Sequence, residues 1–241
     1  MRGYEPAPRR TSRKETTLAE PWFRAVTTVL RPSLAFWFNW NMEGMEHVPP
    51  SGPLLVACNH ISELDPLCQG LFLVRAGRRP RNLAKSDLLE NWFLRKVITG
   101  ARQIPVYRGT GDRGPVDAAV RALRQDECVV IYPEATLTKN PDYSPMPGKT
   151  GIARIAFEAD VPVLPIAVWG SHRALPRRGE EKSFKFGRPI LVKAAPAIDL
   201  SEYADRGADD PGALREATDH VMAELSRLVA ELRARYPKRW A

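Results

Sequence analysis

Two short runs, Pro53–Cys58 (PLLVAC) and Cys128–Tyr132 (CVVIY), carry no polar alternation. A strand with one face in water alternates, so an unbroken apolar run must be covered on both faces, as interior strands of a parallel sheet are. Around these runs the pattern switches to helical spacing: Pro66–Arg75, Asp87–Ile98, the stretch from Pro115 with Val116, Ala119, Val120 and Leu123 inward, and Gly151–Glu158. Asn82–Ala84 and Gln103–Val106 read as short strands. Val161–Val168 is apolar throughout, but its two prolines predict an edge or irregular strand. Phe184–Lys193, around Gly187-Arg188-Pro189, suggests a hairpin-like pair, and Pro211–Arg235 a long amphipathic helix. This repeated alternation predicts an α/β fold, a largely parallel or mixed central sheet flanked by helices.

The N-terminal segment has a different character. Residues 1–17 form a basic tail, expected to be flexible, and residues 18–42 an aromatic-rich helical pair broken at Pro32; residues 43–241 make the α/β domain. Glu20, Arg24, Arg31 and Pro32 interrupt the only stretch apolar enough to suggest a membrane span, and no signal-peptide layout precedes it. Trp22, Phe23, Phe36, Trp37 and Trp40, behind Arg2, Arg9, Arg10, Arg13 and Lys14, instead describe an element able to lie in a lipid headgroup layer. A helical pair packed on the domain fits the same residues. Three cysteines cannot build a disulfide framework, and the net charge of +8 points to an anionic partner: nucleic acid, anionic lipid or a phosphorylated metabolite.

Chemistry concentrates where apolar runs end. His60 follows the first run in Asn59-His60-Ile61-Ser62-Glu63-Leu64-Asp65-Pro66. Ligands of α/β sheets bind at the carboxyl edge of the strands, so this is where a functional group belongs. Asp65 before Pro66 reads as a helix N-cap, which would set it facing His60 across a tight connection, the carboxylate orienting the imidazole as a base. A plain helix cap beside a loop histidine explains the same spacing. The second run ends in Tyr132-Pro133-Glu134-Ala135-Thr136-Leu137-Thr138-Lys139, a carboxylate and two hydroxyls that fit a substrate hydroxyl or phosphate, or simply a capped turn. Ile104-Pro105-Val106-Tyr107-Arg108 ends in a guanidinium suited to clamping phosphate.

The order NHxxxxD, IPVYR, YPEATLT and VPVLPIAVWG, from Asn59 to Gly170, resembles the glycerolipid acyltransferases, the group containing 1-acylglycerol-3-phosphate acyltransferase. The resemblance implies transfer of an acyl chain from an acyl-CoA or acyl carrier protein thioester to the free hydroxyl of 1-acyl-glycerol-3-phosphate, forming phosphatidate, with no bound cofactor or metal. It makes His60 the general base and Asp65 its orienting partner. Arg108, Glu134 and Thr136 are associated with the phosphorylated acceptor, and Pro162 and Pro165 with the acyl-donor side. The aromatic N-terminal pair would dock a peripheral enzyme on the cytoplasmic face of an anionic membrane. The third block departs from the common FPEGTRS: Ala135 replaces glycine and Leu137 replaces arginine, so Lys139, Lys149 or Lys85 is expected to supply the missing cation. Glycerol-3-phosphate, another lysophospholipid and a glycolipid remain alternative acceptors.

Other readings have less behind them. Gly148-Lys149-Thr150 lacks the earlier glycine of a phosphate-binding loop, and no GxSxG elbow or zinc-ligand spacing occurs. Cys58 reads as inert core, and His47, His172 and His220 as surface or loop residues, His172 lying near the rim of the cleft. No nucleic-acid-binding motif accompanies the basic charge, so no nucleic-acid partner is expected. The clusters Arg75, Arg78, Arg79, Arg81, Lys85 and Arg173, Arg177, Arg178, Lys182, Lys185, Arg188 suit coenzyme phosphates, anionic headgroups or water alike.

Overall fold

The computed structural model describes residues 32–85, 103–106, 113–177, 179 and 182–240, with the backbone alone at 84, 85, 105 and 106. Seven strands form one sheet: β1 (Phe38–Glu43), β2 (Leu54–Cys58), β3 (Pro80–Lys85), β4 (Ile104–Val106), β5 (Cys128–Ile131), β6 (Val163–Trp169) and β7 (Arg188–Ala194). Their spatial order is β1-β7-β6-β2-β5-β3-β4, and every neighbouring pair is parallel except β6 and β7. The expected α/β architecture with a mixed sheet is therefore present. The four main helices are α1 (Asp65–Arg75), α2 (Gly114–Leu123), α3 (Gly151–Ala159) and α4 (Pro211–Arg235).

The strands formed from the two apolar runs, β2 and β5, lie at the centre of this sheet and are buried at every position. Their alternate side chains feed two cores. Val56, Cys58 and Val130 pack with Phe72 of α1 and Leu228 of α4 on one face. Leu55, Ala57, Val129 and Ile131 pack with Leu123, Ile152 and Leu225 of α2, α3 and α4 on the other. At roughly 1.5–3 kcal/mol for each large apolar side chain removed from water, these two layers dominate the driving force for folding. The long helix α4 starts as its sequence dictates: Asp210 accepts from Ala213 N at 2.8 Å, and Pro211 occupies the first turn, where its missing N–H costs nothing.

Three expectations fail for identifiable reasons. β6 is an interior strand although Pro165 lies within it. Val163 and Pro165 turn their polar groups toward the segment after β7, and that neighbour leaves the ladder between the Ile166–Ala194 pair and the isolated Val163–Ile198 bridge. The missing N–H of Pro165 therefore removes no strand pairing. The hairpin around Gly187 is absent: β7 pairs with β6 and β1, not with the residues preceding it, and Gly187 turns the chain into β7 at φ +74°. Finally, the N-terminal pair is not helical to residue 42. A short helix covers residues 32–37, and Phe38–Glu43 then joins the sheet edge, with Phe38 buried, Asn39 exposed and Trp40 half-buried in strand alternation. The first helix of that pair, with Trp22 and Phe23, and the helix expected over 87–98 lie outside the described residues. No helix among the described residues is long and apolar enough to cross a membrane.

Candidate active site

β2 lies between β5 and β6 and runs parallel to both, so three carboxyl ends open side by side. His60 stands just beyond β2, Glu134 beyond β5 and Ser171 beyond β6. Asn59 fixes where the chain leaves the sheet. Its amide donates to Val168 O at 3.1 Å and accepts from Val168 N at 2.8 Å, extending the β2–β6 pairing through a side chain. Gln69 Nε2 donates to Asn59 O at 3.2 Å, which ties the same point to α1.

The loop from His60 to Asp65 folds around its own carboxylate. Asp65 is fully buried. Its Oδ2 accepts from Ile61 N at 2.6 Å and Ser62 N at 2.7 Å, and lies 3.1 Å from His60 Nδ1. Oδ1 accepts from the Ser171 hydroxyl at 2.6 Å. Asp65 is thus no N-cap: Leu64 holds that position without a side-chain cap, and the Asp65 carboxylate points back into the loop. The expected meeting of His60 and Asp65 exists, by a different local geometry. Carboxylate oxygens accept, so this contact calls for a proton on Nδ1, and in that neutral tautomer Nε2 carries the lone pair. The His60 side chain keeps 15% of its exposure and stacks on Tyr132 with ring centroids 4.2 Å apart. Tyr132 donates to Gln69 Oε1 at 2.5 Å, and burial pushes its phenol well above the usual range, so it stays protonated and neutral.

Glu134 is buried against the same loop. Oε1 accepts from the His60 backbone N–H at 3.1 Å, and Oε2 from Met146 N at 2.9 Å. Burial pushes its pKa up, and those two backbone donors and His60 oppose the shift. The carboxylate braces the segment beyond β5 against the histidine, a task that spacing did not suggest. Thr138 completes the brace, its N–H donating to His60 O at 2.7 Å.

The remaining site candidates are scattered. Thr136 is half-buried on the Glu134 loop, whereas Lys139 and Lys149 are exposed. Arg108 and the Lys85 side chain lie outside the described residues. Pro162 precedes β6 at the opposite end of the sheet, and Pro165 sits midway along it, buried. A strand rises about 3.3 Å per residue, so neither proline reaches the edge where His60 stands. The fourth block meets the site through its far end, where Ser171 holds Asp65. Ser171, Tyr132 and Gln69 escaped the sequence reading. The only hint of Ser171 was its neighbourhood, Trp169-Gly170-Ser171-His172 at the expected rim.

Other assignments also change. His172 is buried between Tyr143 and Trp169, with centroids 4.3 and 4.6 Å away, and is not a surface residue. Arg78 is buried too, and its guanidinium donates to Pro49 O at 2.8 Å and Gly52 O at 2.5 Å, so it closes a turn. Burial pushes the Cys58 and Cys68 thiols well up and Cys128 up to about 12, which suits inert core. Phe36 (73% exposed), Trp37, Phe184 and Phe186 (58% exposed) form one exposed aromatic group. The Phe36–Phe186 and Trp37–Phe186 centroids are 5.2 and 5.9 Å apart, and Trp37 Nε1 donates to Phe184 O at 3.0 Å.

Comparison with known proteins bears on this site. Residues 39–169 match the family model described as Acyltransferase. The 1-acyl-sn-glycerol-3-phosphate acyltransferase alpha of Bos taurus is 33% identical over 195 residues, covering 78% of this chain and 63% of that protein. The human protein of that name is 32% identical over the same length, covering 78% and 64%. This chain thus spans somewhat under two thirds of those mammalian relatives. The 1-acyl-sn-glycerol-3-phosphate acyltransferase of Bacillus subtilis is 24% identical, covering 78% of this chain and 88% of the relative. The fold is similar to that of the crystal structure of the 1-acyl-sn-glycerophosphate acyltransferase from Thermotoga maritima. The TM-score is 0.65 at 22% identity, covering 93% of this chain and 86% of the other.

Ala135, the departure noted in the third block, stands at φ +59°, in the left-handed region that glycine adopts freely and alanine only at a cost. Such a position costs a non-glycine residue about 1–2 kcal/mol, partly offset by the greater unfolded-state entropy of glycine. Ala135→Gly is therefore expected to stabilise the protein by about 0.5–1 kcal/mol in urea unfolding. An unchanged or lower midpoint would remove the strain from this account.

Proposed function

The chain belongs to the glycerolipid acyltransferase family, and from that premise we propose that it acylates the free hydroxyl of 1-acyl-glycerol-3-phosphate from an acyl thioester, with His60 as base and Asp65 as its orienting group. The observation that carries this reading is the His60–Asp65 contact at the open carboxyl edge of β2. An alcohol is a poor nucleophile at neutral pH, and a base in hydrogen-bond reach supplies on the order of 10²–10⁴-fold. Nε2 of His60 takes the hydroxyl proton as the alkoxide oxygen bonds to the thioester carbonyl carbon. The tetrahedral adduct collapses by breaking the carbon–sulfur bond. The thiolate leaves and recovers the proton from Nε2, so the enzyme returns to its starting state without a covalent intermediate. Asp65 holds the ring through Nδ1 and stabilises the imidazolium while it exists.

Ser171 acts through Asp65 and is a positioning residue. His60→Ala and Asp65→Asn are expected to lower thioester-dependent thiol release with lysophosphatidate by at least about 10²-fold. Ser171→Ala is expected to lower kcat by roughly tenfold with little change in KM, because one of four donors to the carboxylate is lost. Near-wild-type turnover in His60→Ala would refute the dyad. The acceptor phosphate is assigned to Arg108 together with Thr136 and a lysine among Lys85, Lys139 and Lys149. The names of the mammalian and Bacillus relatives support lysophosphatidate as that acceptor.

The same reading makes the protein peripheral to an anionic membrane, docked through its exposed aromatic group. Phe36 and Trp37 belong to the expected docking element, and Phe184 and Phe186 join them from the segment before β7, next to Lys182 and Lys185. Exposed aromatic side chains interleaved with lysines are the composition of an interfacial anchor. Because Phe38–Glu43 is a strand, truncation to residue 42 would strip the sheet edge; point changes test docking cleanly. Phe36→Asp combined with Phe186→Asp is expected to reduce sedimentation with anionic vesicles at least about tenfold, with thermal stability retained. Undiminished sedimentation would place the membrane contact elsewhere.

A further inference from the structure

Among the described residues, three buried side-chain polar atoms have no hydrogen-bond partner: Nδ1 and Nε2 of His172, and Nε of Arg188. Buried polar groups are almost always paired, because leaving one unpaired costs about 1–3 kcal/mol. All three atoms belong to residues lining one cavity of about 520 Å³, bounded by the segment after β6, the start of β7 and the C-terminal turn Lys238–Trp240. That volume lies within the range of small-molecule sites.

The cavity wall is strongly cationic. Arg173, Arg177, Lys185, Arg188 and Arg239 line it, and among the described residues no Asp or Glu does. Arg177 is engaged, donating to Thr138 O at 3.1 Å and Asn140 O at 3.0 Å. Arg188 donates to Ser183 Oγ at 3.2 Å through Nη2, while its Nε has no partner among the described residues. Among the described residues, no carboxylate pairs with Arg173, Lys185, Arg188 or Arg239; Glu180 and Glu181 lie outside the described residues. Burial and the surrounding Arg173, Arg177, Arg188 and Arg233 push His172 down to about 3, so at neutral pH it offers one donor and one acceptor. Tyr143 and Trp169 pack against its ring, whose two nitrogens are buried at the cavity's inner wall. Two flat rings, Tyr143 and Trp240, also line it, with the Arg188 guanidinium 5.4 Å from the Trp240 ring.

We propose that this cavity binds phosphate groups of a substrate, specifically those of the nucleotide end of a coenzyme-A-linked acyl donor, on Arg173, Arg188 and Arg239 with a purine against Trp240. A pyrophosphate together with a phosphomonoester carries roughly four negative charges at neutral pH, against about two for the single phosphate of a lysophosphatidate, and matches a wall of this charge. Paired arginines suit phosphate oxygens, and an indole suits a purine face. The cavity is also coupled to the dyad. Ser171, which holds Asp65, immediately precedes His172, and Arg177 grips the carbonyl of Thr138, whose N–H holds His60 O. The inference rests on the acyl-transfer reading, and it selects acyl-CoA over the carrier-protein thioester.

The test uses the full chain and the exposed pair Arg173→Ala with Arg239→Ala. Calorimetric titration with free coenzyme A, and separately with adenosine 3′,5′-bisphosphate, is expected to show at least tenfold weaker binding in the double variant. The KM for acyl-CoA is expected to rise at least tenfold, while the KM for acyl-pantetheine, which has no nucleotide, is the same in both proteins. Equal coenzyme A affinity and equal acyl-CoA KM in an active double variant would overturn the inference and leave the acyl-transfer reading intact. Lost coenzyme A binding in the variant, with no thiol release by the wild type, would uphold the nucleotide site and defeat that reading. Unchanged coenzyme A affinity with weakened sedimentation on phosphatidate vesicles would overturn it in favour of a lipid headgroup.

Discussion

The Asp65 carboxylate is the point on which the site depends. A carboxylate withdrawn from water without partners costs several kcal/mol, so a buried one survives only where the chain brings donors to it. Here two backbone N–H groups of its own loop, one hydroxyl from beyond β6 and the His60 ring converge on its two oxygens. Each donor fixes something different. The backbone pair sets the loop, Ser171 fastens the loop to β6, and the histidine receives its tautomer and direction. Removing the carboxylate would release all three at once.

The fold makes that convergence possible by placing β2 between two parallel neighbours. Parallel strands end on the same edge, so three loops rise together from β2, β5 and β6. Asn59 and Glu134 then bind neighbouring loops to the His60 segment, one through an extended ladder and the other through a backbone N–H. The result is a histidine held on one side by ring stacking on Tyr132 and on the other by Asp65, with some exposure left for a hydroxyl to approach. A base positioned on fixed elements needs little reorganisation as the reaction proceeds, which is the physical advantage of building it at strand ends.

Much of this was legible in the residues. The unbroken apolar runs identified interior strands because only burial on both faces tolerates them, and the position of His60 directly after one of them placed it at the working edge. The misreadings came from information that one sequence does not carry. Pro165 argued against an interior strand because the departure of the neighbouring chain from the ladder is a tertiary fact. Asp65 read as a helix cap because spacing gives no side-chain direction. Ser171 is more than a hundred residues from Asp65, and no local pattern announces a contact of that separation. Phe184 and Phe186 became notable only once the segment before β7 lay beside Phe36 and Trp37.

The surface extends the same logic outward. An exposed aromatic group and a cationic cavity share the segment that leads into β7, so the proposed membrane contact and the proposed phosphate site would meet next to the strand ends that carry the histidine. All of it presumes that Nδ1 of His60 bears the proton and Nε2 does not. Nitrogen-15 NMR of the His60 imidazole in the unliganded protein, at a pH where the ring is neutral, reads this directly. The account predicts a protonated Nδ1 and a bare Nε2, and a proton found on Nε2 would contradict it.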